Sequence, residues 1–125
     1  MRHVGLSNVT VTQLEVARKI VPIVSVQNRY NLGDRHAEDV LKACERLGIA
    51  FLPWYPLGDG SSLRNAKVKA IAQKLSATPS QVVIAWLLKK SPVMLPIPGT
   101  GNVAHLEENM AAAKIQLGDA DFKSL

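Results

Sequence analysis

Three short stretches combine glycine with hydroxyl side chains just ahead of helical patterns: GLSN (5–8), WYPLGDGSS (54–62) and IPGTGN (97–102). Glycine lets a backbone approach a ligand closely, and Ser or Thr adds a hydroxyl donor. A helix start adds unpaired N–H groups and partial positive charge. Together these are the requirements for holding a phosphate. Each loop alone is also ordinary turn composition. Their joint placement, with the two richest after the third and fourth apolar runs, points to an anion site.

Other reactive side chains do not assemble into a pattern. His3, His36 and His105 lack ligand-like spacing to Asp, Glu or Cys, so no metal site is expected. Ser7 has no histidine and carboxylate placed to activate it as a nucleophile. The single Cys44 shares an apolar helical face with Val40 and Leu41 and reads as a small core residue. Trp86, in IAWLLKK, and Tyr30 read as packing residues, while Lys89 and Lys90 complement a helix C-terminus.

The elements that must position these loops follow from alternating short apolar runs and longer helical patterns. Strands are predicted at 2–6, 23–27, 49–54 and 93–97. None alternates strictly over its length, which predicts strands buried on both faces. Thr10 with Gln13 forms a capping-box pattern before a helix at 11–20, and Asp34 is the expected cap of 35–47, which stops at Gly48. Thr78, Pro79 and Gln81 open a helix at 79–90. Further helices are expected at 64–76 and 103–113, with a last turn capped by Asp119. The pattern is four parallel βα units plus an extra helix after the third strand, an α/β chain in a single domain over residues 1–125, amounting to half of an eight-stranded barrel.

Composition excludes several classes. With 47% hydrophobic and 20% charged residues, the 125-residue chain has the makeup of a globular domain. Its net charge of +5 is dispersed, with no basic run to suggest nucleic acid or a membrane surface. No apolar run approaches membrane-spanning length and no signal-peptide pattern opens the sequence, so a cytoplasmic protein is expected.

The ordered series HVGLSN (3–8), VQNRYN (26–31), WYPLGDG (54–60), TPSQVVIAWLL (78–88) and PIPGTGNVAHLEENMAAA (96–113) closely resembles the carboxyl-terminal half of the aldo-keto reductases. The resemblance implies a (β/α)8 or TIM-barrel fold, NADP or NAD as cofactor, and reduction of aldehydes and ketones. By motif position it implies that Ser7, Asn8 and Gln27 hydrogen-bond the nicotinamide carboxamide and that Trp54 stacks on the nicotinamide ring. Leu57 and Gly58 then match the loop along the pyrophosphate. Thr100 matches a hydroxyl near the adenosine 2′-phosphate, and Glu108 and Asn109 match the pair that reads the adenine end.

Where many members of that family carry a lysine and an arginine around the 2′-phosphate, this chain has Gly99 and His105. An imidazole lacks arginine's fork and permanent charge, so preference for NADP over NAD is weakened. The family's Asp, Tyr, Lys and His tetrad lies on the first half of its barrel, and no matching motif stands in these residues. The expectation is a chain with no catalytic residue of its own, inactive alone. Alternatives are a non-enzymatic nucleotide-binding module or a structural half barrel without a tight ligand. Strands 2–6 and 93–97 would expose unpaired edges. The expected remedy is a homodimer that closes a barrel, with domain swapping or a separate amino-terminal half as the other options.

Overall fold

A computed structural model describes residues 1–125. Strands β1 (Val4–Ser7), β2 (Ile23–Arg29) and β3 (Ala50–Trp54) form a parallel sheet in the order β1-β2-β3. Helices α1 (Val11–Arg18) and α2 (Glu38–Leu47) follow the first two strands. After β3 come α3 (Ser61–Arg64), α4 (Ala66–Lys74), α5 (Pro79–Lys90), α6 (Val103–Ala111) and α7 (Asp119–Ser124), with a 3-10 turn at Ala112–Lys114. No helix is long and apolar enough to cross a membrane.

The expected fourth strand at 93–97 is reduced to one parallel bridge, Phe51 with Met94. The Phe51 N–H donates to Val93 and the Leu95 N–H donates to Phe51, both at 2.8 Å. Pro53 on β3 is the next residue to face this segment and carries no backbone N–H, so the ladder loses the donor that would bond Leu95 and extend it. The segment still lies beside β3 and gives the sheet an outer edge there. The opposite edge belongs to β1, which pairs only with β2.

The first strand sits two residues later in its start than expected, and its contact with β2 is close. A Cβ at Gly5 would stand 2.3 Å from the Ser25 Oγ and 3.3 Å from its carbonyl oxygen, so any larger residue would force the Ser25 side chain to move.

Burial covers one face of the sheet, which corrects the expectation of two. Val26 and Asn28 on β2, Tyr30 just past its end, and Phe51 and Pro53 on β3 point into the helical layer, while Ser25, Gln27, Ala50, Leu52 and Trp54 stay half-buried. No element of the chain packs on that second face. The core fills from α2 through Val40, Leu41 and Cys44 and from α5 through Val82, Val83, Trp86 and Leu87. Burial pushes the Cys44 thiol up to about 11, leaving it a neutral core side chain.

At the centre of this layer, Tyr30 stacks on Trp86 with rings 6.5 Å apart and 11° from parallel, and meets the edge of Phe51 at 5.9 Å. Arg35 lies 4.5 Å over the Trp86 ring. The Tyr30 hydroxyl donates to Glu38, which also pairs with Lys90 at 2.9 Å. Burial opposes ionisation of Glu38, but the bonds from Tyr30 and Lys90 outweigh it and hold its carboxyl below the usual range.

Several helix boundaries move for identifiable reasons. Asp34 does not cap the second helix: its carboxylate takes the His36 backbone N–H and ring Nδ1, and Arg29 Nε at 3.1 Å. The helix therefore starts at Glu38 behind Ala37, and ends at Gly48 as expected. Asn65 breaks the predicted 64–76 helix by adopting an extended backbone and capping α4 through Lys67. The final helix is capped by Gly118 rather than Asp119, whose carboxylate pairs with Lys89 at 2.6 Å.

Both capping boxes form as the sequence indicates. The Gln13 N–H donates to Thr10, and the Gln81 N–H to Thr78, each reciprocated by the glutamine side chain. Replacing Thr78 by Ala should lower unfolding stability by about 1–2 kcal/mol, the usual cost of a lost threonine cap, as a shift in the urea midpoint.

Candidate functional site

The carboxyl ends of the three strands gather four of the predicted residues. Ser7 is the last residue of β1 and is paired in register with Gln27; Arg29, the last of β2, is paired with Trp54, the last of β3. Alternation along the strands puts Ser7, Gln27 and Trp54 on the face that no helix covers.

Asn8 completes this group through an unusual backbone. Its φ of 55° places it in the left-handed region, which asparagine tolerates better than most residues. The Asn8 N–H donates to the Gln27 carbonyl at 2.9 Å, and its side-chain Oδ1 accepts the Trp54 indole N–H at 2.8 Å. The Asn8 amide nitrogen stays free to donate. Neither the Ser7 hydroxyl nor the Gln27 amide has a partner within the chain, so each can bind a ligand without breaking an internal bond.

Two buried asparagines that were not singled out from the sequence hold this arrangement. Asn28 is 5% exposed and clips the strand-to-helix turn from both sides, taking the Val9 N–H at 3.0 Å and donating to the Val9 carbonyl at 2.8 Å. Asn31 is equally enclosed; it takes the Gly33 and Asp34 N–H groups and donates to the Tyr55 carbonyl at 3.1 Å. That last bond supports Tyr55 at φ 59° and the turn that follows it. A signal was present: period-two alternation places Asn28 with Val26 and Tyr30 on the core face, where an amide needs partners.

The two glycine-rich loops face each other. Tyr55–Gly58 and Ile97–Gly99 line an open groove of about 380 Å³, bringing Leu57 and Gly58 together with Gly99. Gly58 turns at φ 62°, and a Cβ at Gly99 would meet nothing within 4 Å, so backbone is presented to the groove on both sides. No cationic side chain lines it.

The other predicted positions divide. Thr100 is turned into its own loop, where its hydroxyl takes the Asn102 N–H at 3.1 Å. Asn102 then caps α6. His105, Glu108 and Asn109 share one face of α6 by their i, i+3 and i+4 spacing. Glu108 is not free: its carboxylate accepts the Thr78 hydroxyl and its carbonyl accepts the Gln81 side chain at 2.9 Å, joining α6 to the start of α5. Asn109 is half-buried with no side-chain hydrogen bond inside the chain, and His105 is exposed.

The Tyr30 phenol faces the helical layer, where burial first, and then the bond to Glu38, raise its pKa far above the ordinary value. No group of three His, Cys, Asp or Glu side chains is gathered that could hold a metal ion.

The whole chain, residues 1–125, matches the family model described as the aldo/keto reductase family. It is similar to the pyridoxine 4-dehydrogenase of Escherichia coli, 48% identical over all of this chain and 44% of that enzyme. Among solved structures, it superposes on the thermostable aldo-keto reductase Tm1743 in complex with epalrestat with a TM-score of 0.92, at 34% identity over 98% of this chain and 47% of that one. A variant of Gox0644 in complex with NADPH gives a TM-score of 0.87 at 30% identity, covering 98% of this chain and 45% of that one. The chain spans less than half the length of the curated relatives it matches, 44% in the case of the E. coli enzyme. On a match that runs from the first residue to the last, the chain belongs to the aldo/keto reductase family.

Proposed function

We infer that these residues form the nicotinamide-dinucleotide-binding portion of a carbonyl reductase, and that they bind NADP or NAD without turning over a carbonyl substrate by themselves. The observation that carries this reading is the group at the strand ends. Trp54 is locked by Asn8, while Ser7 and Gln27 stand beside it with unspent hydrogen-bonding groups. The donor set fits a carboxamide, which needs both donors and acceptors, next to a flat ring that needs an apolar face.

The Tyr55–Gly58 and Ile97–Gly99 groove would carry the pyrophosphate on backbone groups, with Asn109 offering a free amide to the adenine end. His105 and Gly99 supply little charge for a 2′-phosphate, so discrimination between NADP and NAD would be small. When bound, the reduced nicotinamide supplies the hydride for carbonyl reduction. The proton for the developing alkoxide needs a donor within hydrogen-bond reach, and none of these side chains is placed for it. A cytoplasmic setting suits such a reductase. The similarity to pyridoxine 4-dehydrogenase makes a small hydroxymethyl or aldehyde compound the first substrate class to try with a complete barrel.

The bare face and the free edges support a half barrel completed by a second four-stranded half, which for the isolated chain is a second copy. A parallel sheet normally has both faces covered. The chain exposes 7362 Å², about 800 Å² more than a compact monomer of its mass would. That excess equals what one partner contributes to an interface of ordinary size. Val16 and Ile20 on α1 and Val103, Leu106 and Met110 on α6 are exposed apolar side chains that a partner could cover.

Titrating the purified chain with NADPH, followed by calorimetry or cofactor fluorescence, should give saturable binding. Trp54→Ala should weaken it about tenfold or more and Asn109→Ala about fivefold. Absence of binding up to millimolar NADPH would favour the ligand-free structural reading. With 4-nitrobenzaldehyde added, no NADPH oxidation is expected; turnover would refute the assignment of the chain as inactive alone. Light scattering at roughly 10 μM should return twice the chain mass, and a folded monomer there would dispose of the paired half barrel.

A further inference from the structure

Arg29 is the one cation at the carboxyl ends of the strands that approaches the predicted nicotinamide platform. It follows Gln27 by two residues on β2, so the pleat puts both side chains on the uncovered face, and its register partner is Trp54. The guanidinium carbon lies 5.8 Å from the Trp54 ring centre and 5.2 Å from that of Tyr55. Its Nε pairs with the Asp34 carboxylate at 3.1 Å. Asn8 pins the indole nitrogen, so the ring cannot swing away from the charge.

We propose that Arg29, moderated by Asp34, sets the relative affinity of this site for the reduced and oxidised nicotinamide. The inference rests on the reading of Trp54 as the stacking platform. A reduced nicotinamide ring is neutral and an oxidised one carries a positive charge. A ring stacked about 3.5 Å from Trp54 on the side away from Arg29 would lie about 9 Å from the guanidinium. At that distance, in a half-exposed setting, one unit charge acting on another changes an equilibrium roughly two- to fivefold. The charge on Arg29 therefore disfavours the oxidised form. Asp34 partly cancels it, and remains ionised because the bond from His36, above all, holds its carboxyl below the usual range. The pair thus acts as an adjustable local field at a site where the two ligand forms differ by a single charge.

The two members of the pair predict opposite effects, which a role in packing alone would not produce. The ratio of dissociation constants for NADP⁺ and NADPH is measured at low salt for the native chain and its variants. Arg29→Gln should lower that ratio roughly two- to fivefold by relieving repulsion of the oxidised form. Asp34→Asn should raise it by a similar factor, because the guanidinium then stands uncompensated. Arg29→Lys, which keeps the charge, should return it close to native. Added salt should shrink all these differences. Binding of both nucleotides with the ratio unmoved by either substitution, or moved in the same direction by both, overturns the proposal. Failure of the native chain to bind either nucleotide removes the Trp54 reading and this inference with it.

Discussion

The amide of Asn28 is the interaction on which the rest of the site depends. It sits on the buried row of the central strand, and its two hydrogen bonds satisfy both backbone groups of Val9. Those bonds determine where the chain leaves β1. Asn8 is thereby held in the left-handed region, with its N–H on Gln27 and its side chain on the Trp54 indole. An amide carries donor and acceptor on separate atoms without a charge, whereas an ionised carboxylate in the same place could only accept and would leave the Val9 carbonyl unpaired.

Strand β2 serves two layers at once because its period is two residues. Val26, Asn28 and Tyr30 build the helical side, where Tyr30 joins the stack with Trp86 and Phe51. Ser25, Gln27 and Arg29 populate the other side, which stays open to solvent or to a partner. Rigidity on one face is thus converted into precise placement on the other, since neighbouring residues cannot rotate independently of the pleat. Asn31 extends the same principle past the strand end by supporting Tyr55 and so the mouth of the groove.

The α6 region shows how a ligand-like residue can also be structural. Glu108 accepts the hydroxyl of the residue that caps α5, and Gln81, the other half of that capping box, reaches the Glu108 carbonyl. A cap, a helix junction and the adenine end of the proposed nucleotide site therefore share side chains. Any ligand that recruits Glu108 works against a bond that helps to hold α6 in place.

Local chemistry was legible in the sequence. Both capping boxes, the Gly48 terminus of α2, the burial of Trp86 and Cys44, and the order of strands and helices follow from backbone donors, spacing and apolar periodicity, which act over a few residues. The family motifs likewise lie within contiguous stretches. What needed the tertiary structure depends on partners far apart in the chain. Asp34 abandons its capping role because Arg29 and His36 compete for its carboxylate. The 93–97 run reaches the sheet through a single bridge because Pro53 removes the donor with which β3 would continue the ladder. Asn8 meets Trp54, and Glu108 meets Thr78, across 46 and 30 residues respectively. Spacing along a chain specifies which groups a short segment presents, and only packing decides which of them are already spent on one another and which remain for a ligand.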